Sequence, residues 1–429
     1  MIIDAHWNYL DKLKVEQSQL KNGLKIFMLE NHSLPIISFY TFLKAGSRNE
    51  KSGTTGISHF LEHMMFNGSE KYGPKEFDLK LESNGGYSNA YTSNDWTAYF
   101  EEFPPSALEL VIDMESDRIS KLLLDRNSIE SERGVIKEER RLRTENYPAG
   151  KLEEELYAIS YNSHPYQWPV IGWMRDLDSI KYEDLKYYYS TYYSPNNAFI
   201  VIVGDFNSGE VFELIKRHYE NIPLQQIPER KITLDEEQLG ERRAKVTKDV
   251  EVSSFMIGYH VPDCKNSDVY ALDLLQIILA GGKSSRLYQE MILKKMLAIS
   301  VSIDFPWRID PSLFIFYVQM RPDKENREGE EIIYREIENV RENGVREGEL
   351  QKAKNIILTG FIKNFQTNNS TANVIGTYEI LFGSWEKIKE TYKNYDRITY
   401  EDIKKVVEKY FNERNRNVVE MLPEKKNKK

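Results

Sequence analysis

The residues of this chain best able to do chemistry are His59 and His63, with Glu62 between them. In a helix, side chains four apart lie one turn above each other on one face. His59 and His63 can then offer two imidazole nitrogens to a single ion, with Glu62 beside them. Zinc takes such nitrogens at about 2.0–2.1 Å, and a catalytic zinc combines three protein ligands with one open position for water. Glu62 stands where it could accept the proton of that water. A histidine pair at this spacing is common on solvated helices. A carboxylate between the two, in a chain with only seven histidines, makes the pattern specific.

Two imidazoles are an incomplete ligand set, so a third donor must come from another element. The run IESERGVIKEER, residues 129–140, offers several carboxylates on one expected helix. Glu132 and Glu139 are seven positions apart, close to two turns, and share a face. That makes one a candidate ligand and the other a candidate acceptor for the far nitrogen of a ligating imidazole. By composition alone the run is a solvated charged helix, and pattern does not choose between Glu138 and Glu139.

The elements that must position these groups follow from periodicity and punctuation. Strand-like runs at 24–29 and 36–45 flank the turn-prone segment 31–35. Thr54-Thr55-Gly56 introduces a helix over 57–67 closed by Gly68, seated on a core by Ile57, Phe60, Leu61 and Met64. A helix over 74–83 ends at Asn84-Gly85-Gly86, and strand-like residues follow at 87–92 and 96–101. Helices over 104–120 and 127–145 come next, and the half closes on an apolar strand at 198–203. Between about 222 and 246 the pattern dissolves into Pro223, Pro228 and charges, which reads as a linker.

The second half repeats this grammar. Strand 253–259 and helix 269–280 lead to a Gly281-Gly282 break, then strands 299–305 and 313–320. Helices 330–342, 347–365, 372–381 and 400–411 precede a last strand at 417–421. SPNNAFIVIVG near residue 200 echoes ERNRNVVEML near the end. A repeat of roughly 200 residues implies two homologous domains rather than a solenoid. The expected division is 1–222, a linker at 223–246, and 247–429.

Composition narrows the function classes. A formal charge of −9 argues against a nucleic-acid binder. The basic run after Pro423 is short and reads as a solvated tail. The single cysteine, Cys264, rules out an intrachain disulfide and a cysteine-based zinc site, and it fits a reducing compartment. No stretch approaches the roughly 20 apolar residues of a membrane span. The opening MIIDAHWNYL has no signal-peptide character, so the chain as given reads as cytoplasmic. A periplasmic home stays open if a leader was removed.

Five segments together carry a family resemblance over nearly the whole chain: GISHFLEHMMFNGSEKY (56–72), GGYSNAYTSNDWTAYF (85–100), ERGVIKEE (132–139), HPYQWPVIGW (164–173) and SPNNAFIVIVGDF (194–206). The chain resembles the zinc metallopeptidases of the pitrilysin, insulin-degrading enzyme and mitochondrial processing peptidase family. These are inverzincins, named for the H-x-x-E-H order, and the bacterial processing-protease branch is the most similar. The resemblance implies an α+β fold of two homologous domains, each a mostly antiparallel sheet packed with helices. It places the third zinc ligand on Glu139, its supporting carboxylate on Glu132 and the general base on Glu62. It also implies that peptide substrates add as a strand to an exposed edge near Gly86, Asn89 and Ala90. Zn2+ is the implied cofactor, and cleavage of peptides or unfolded segments within a closed chamber is the implied activity.

One departure stands out. Many relatives carry an Arg and a Tyr, seven apart, after an SSRLYQE-like segment of the second domain, where they hold the substrate carbonyl. Here those positions are Ile292 and Ile299, and Arg286 and Tyr288 are in the wrong register to replace them. The expectation is a zinc-bearing subunit whose homologous partner lacks the zinc motif but supplies the Arg/Tyr pair. A homodimer is the other assembly, and a non-catalytic structural or binding subunit is the alternative function.

Overall fold

Runs of β-branched and aromatic residues alternate with amphipathic helices, and the chain gathers its strands into two sheets. The structure is a computed structural model describing residues 13–229 and 231–424. The MIIDAHWNYL segment and the basic residues beyond Glu424 lie outside the described residues. The strands of the first sheet are β1 (Glu16–Gln19), β2 (Lys25–Glu30), β3 (Ile37–Leu43), β4 (Tyr87–Thr92), β5 (Thr97–Phe103) and β6 (Ala198–Gly204). Their order is β1-β2-β6-β3-β5-β4, with only β2 and β6 parallel. Both β3 and β6 are buried along their full length, which explains why ISFYTFL is mostly apolar, with Ser38 and Thr41 as its polar members, and why AFIVIVG is apolar throughout. At the edge, β4 reads YSNAYT and has no fully buried residue.

The second sheet contains β7 (Arg242–Lys248), β8 (Ser254–Val261), β9 (Ala298–Asp304), β10 (Ser312–Met320) and β11 (Arg416–Pro423). Its order, β7-β11-β8-β10-β9, repeats β2-β6-β3-β5-β4, including the single parallel pair at β7 and β11. The fold is α+β and duplicated, as the internal echo implies.

Five helices position the chemistry or cover the sheets: α1 (Ile57–Met64), α2 (Arg126–Arg140), α3 (Pro148–Ser160), α4 (Asp268–Ala280) and α5 (Asn368–Phe382). Two of them correct the expected division at 222 and 247. One compact unit comprises the residues up to Arg140, Trp168–Ile232 and Ile362–Lys389. The other comprises Arg141–Gln167, Thr233–Phe361 and the residues from Glu390 onward. Helix α5, from late in the chain, thus packs on β3 and β6, where Lys25 pairs with Glu379 at 2.8 Å and Tyr40 donates to Asn369 at 3.0 Å. Helix α3, from the first half, covers the second sheet through Leu152, Leu156 and Tyr157 against Met256, Leu313 and Val419. Helical periodicity shows that a face is apolar but not which sheet it will cover, so residue order alone implies a contiguous division.

The linker also needs correction. Its last residues belong to β7, a polar strand, RRAKVTK, that alternates between half-buried and exposed. Helix α1 ends at Met64, short of the expected 67, in tight turns in which the Phe66 amide donates to the His63 carbonyl and the Asn67 amide to the Met64 carbonyl before Gly68 at φ 105°. No helix among the described residues is long and apolar enough to cross a membrane.

Candidate metal centre

The first turn of α1 is held from several sides. Gly56 adopts φ 86°, and a Cβ there would fall 2.4 Å from the carbonyl oxygen of Ile171. At Gly172, φ 82°, a Cβ would fall 2.3 Å from the carbonyl oxygen of Thr55, so the two backbones run too close there for any residue but glycine. The buried Glu50 carboxylate accepts the amides of Gly56 (2.8 Å) and Ser58 (2.9 Å), placing negative charge at the positive end of the helix. Phe60, Leu61 and Met64 have no exposed surface, which fixes the rotation of α1 about its axis.

That rotation brings His59 and His63 side by side, their ring centroids 4.7 Å apart. Helix α2 supplies the acids. It is fastened by Arg133, which donates to the backbone carbonyls of Leu177 and Ile180 and lies 5.4 Å from the centroid of the Phe60 ring. Glu139 Oε2 approaches His59 Nε2 at 3.6 Å and His63 Nε2 at 3.2 Å. One donor atom from each of the three residues lies within 4.8 Å of the others. Tetrahedral bonds of about 2.0–2.1 Å put ligand atoms about 3.3–3.4 Å apart, so this donor set fits a zinc ion. Glu139 rather than Glu138 faces the imidazoles, a choice that spacing alone left open.

Glu132, two turns earlier, meets the other side of the same ring, with its Oε1 3.3 Å from His63 Nδ1. Nδ1 then carries the hydrogen and Nε2 is turned toward Glu139. The bond to His63, working against burial, lowers the Glu132 pKa. Burial opposes a charge on His63. The hydrogen bonds to Glu132 and Glu139, with the charges of Glu139 and Glu62, outweigh it and raise its pKa to about 9. The site is a negative well that favours a cation.

Glu62 is 9% exposed, and its Oε2 accepts a hydrogen bond from the Thr92 hydroxyl. Neither Thr92 nor Glu50 is among the candidates that residue spacing marks. An acidic residue shortly before a helix is a readable signal for Glu50, whereas nothing in the pattern pairs Thr92 with Glu62.

The residues linked by resemblance to peptide binding sit on or beside β4, the free edge of the first sheet. Asn89 Oδ1 accepts the Ala90 amide at 2.8 Å. Gly86 precedes the strand, and a Cβ there would lie 2.6 Å from Leu81 Cδ1, so close packing explains this glycine. Tyr91 donates to Asn373 of α5 at 2.7 Å and ties the strand down. In the second unit, Arg286 is committed to Glu349 (2.8 Å) and the Gly344 carbonyl (3.2 Å). Ile292 sits in a wide helical turn, Tyr288–Lys294, and Ile299 is exposed on β9.

A duplicated α+β fold with an H-x-x-E-H helix and a carboxylate facing it from a second helix defines a class of metallopeptidase-like proteins. Residues 26–172 match the family described as insulinase (peptidase family M16), and residues 179–357 match the peptidase M16 inactive domain. The chain is 33% identical over 417 residues to the zinc protease PqqE of Helicobacter pylori, covering 96% of this chain and 93% of that one. A crystal structure of a protease from Helicobacter pylori superposes with a TM-score of 0.91 at 32% identity, covering 96% and 99% of the two chains. The periplasmic protease PqqL of Escherichia coli shares the fold, with a TM-score of 0.78 at 20% identity. That match covers 95% of this chain but 47% of PqqL, so PqqL is about twice as long. The chain belongs to peptidase family M16.

Proposed function

We propose that this chain is a zinc-dependent endopeptidase with His59, His63 and Glu139 as ligands and Glu62 as general base. The convergence of the three donor atoms beside Glu62 carries the reading. A bound zinc ion supplies Lewis acidity, polarising the scissile carbonyl and acidifying a water toward a pKa of about 7. Glu62 takes the proton of the attacking water and returns it to the leaving amine. Glu132 holds the His63 ring in the tautomer that presents Nε2. The edge strand β4 aligns a peptide through its backbone, with Asn89 and Ala90 nearest the scissile bond, which suits substrates of varied sequence.

Glu62→Gln should keep one zinc per chain while turnover of a quenched peptide falls about 10²–10⁴-fold. His59→Ala and Glu139→Ala should lose the metal. A Glu62→Gln protein that cleaves at the wild-type rate refutes the reading.

We also infer that the active assembly is paired with a homologous subunit, in a heterodimer. The side chains of Ile292 and Ile299 have no polar hydrogen to offer a substrate carbonyl, and Arg286 is engaged elsewhere. The length of PqqL, near two of these chains, supports pairing. Full activity of the purified chain alone, undiminished on dilution, overturns this part.

A further inference from the structure

Strand β4 presents residues alternately to its two faces. Ser88 donates to Asp78 of the neighbouring helix Glu76–Ser83 at 2.7 Å, and Thr92, on the same face, donates to Glu62 Oε2. Thr92 is the last residue of β4 and pairs across the hairpin with Thr97. Thr97 is anchored on the Ala45 carbonyl at 2.9 Å, and its hydroxyl lies 3.5 Å from that of Thr92. The hydroxyl on Glu62 therefore belongs to a strand end fixed from both sides.

We propose that Thr92 is the positioning residue of the base, and that it links substrate binding on β4 to the orientation of Glu62. This rests on the zinc-peptidase reading above. With Oε2 engaged, rotation about the last bond of Glu62 is quenched, so the direction in which its other oxygen meets a proton is set. The peptide that adds to β4 and the carboxylate that acts on it are referenced to one strand. Thr92 does not touch the reacting atoms and contributes to turnover rather than to affinity.

The test compares Thr92→Val, nearly the same in shape, with Thr92→Ser, which keeps the hydroxyl, in the full-length zinc-loaded protein. A hydrogen bond to a charged group predicts that Thr92→Val lowers kcat about 10–100-fold with KM within twofold of wild type. Thr92→Ser should return kcat to within about threefold of wild type. One zinc per chain, by elemental analysis, should remain in both. A readout independent of turnover uses the Glu62→Gln protein, whose residual cleavage is slow against binding, and a fluorescent peptide. Adding Thr92→Val there should leave the peptide Kd unchanged. Wild-type kcat in Thr92→Val, failure of serine to rescue, or parallel loss of peptide affinity or zinc overturns the proposal. If Glu62→Gln itself cleaves normally, the underlying reading falls instead, so the two failures are distinct.

Discussion

Removing Glu132 should weaken metal binding without removing a ligand. Its carboxylate lies 3.3 Å from His63 Nδ1, behind the nitrogen turned toward Glu139. Two effects act there: the acceptor fixes ring orientation and tautomer, and its negative charge makes the imidazole a better donor to a cation. Glu132→Gln keeps an acceptor oxygen and loses the charge, whereas Glu132→Ala loses both. Partners of this kind contribute about 10–100-fold to metal affinity. The alanine variant should therefore approach the upper end, about 3 kcal/mol at about 1.4 kcal/mol per decade, with glutamine nearer the lower end. Competition with a chromophoric chelator reads the affinity directly. Zinc-dependent melting offers an independent check, because stabilisation by a ligand scales with ln(1 + [L]/Kd). If Glu132→Ala binds zinc as tightly as wild type while His63→Ala binds none, the argument from ring orientation is wrong.

Two further predictions concern the fold. Gly376→Ala would place a Cβ 2.0 Å from Phe42 Cε2, in a fully buried ring stacked on Tyr40 and Phe199. It should lower stability in urea by about 1–3 kcal/mol. Gly360→Ala, where a Cβ meets nothing within 4 Å in the helix Glu347–Lys363, should be neutral or stabilising, and equal effects of the two would refute the packing account. Burial, only partly offset by hydrogen bonds from Tyr395 and Trp307, raises the Asp273 pKa from 3.8 to about 7. The folded carboxyl then keeps a proton that the unfolded one has released. Stability is lost as pH rises from about 4 to about 7 and levels off above, by about 4 kcal/mol in total. Asp273→Asn should abolish this slope, and parallel stability–pH curves for the two proteins would refute it.

Much of the fold and of the site could be read from residues alone, for identifiable reasons. An H-x-x-E-H run places its groups by helical geometry, which is local, and Glu132 and Glu139 share a face by the same rule. The choice of Glu139 over Glu138 needed the rotation of α2, which Arg133 and Phe60 set through tertiary contact. The apolar cores of β3 and β6 were readable because both faces are covered, whereas β1 and β7 were missed because edge strands tolerate charges. The exchange of α3 and α5 was invisible, since an amphipathic pattern carries no address. Thr92 was missed for a related reason: a threonine in a strand is ordinary, and only the pleat directs it at Glu62.

The duplication argues that the scaffold does not by itself create the site. The two sheets share strand order and the position of their one parallel pair, and each sends the middle strand of the shared five-strand order, β3 or β8, toward a helix. In the first unit that helix is short, capped by Glu50 and carries His59, Glu62 and His63. In the second it is α4, thirteen mostly apolar residues, whose one buried acid, Asp273, is held by Tyr395 and kept toward its protonated form. A carboxyl that favours its proton is a poor ligand for a divalent ion, and no imidazole accompanies it on α4. The same backbone plan therefore holds a negative well in one copy and a neutralised core in the other. What separates them is a handful of side chains and the second helix that faces them, so function in this fold must be argued from those residues.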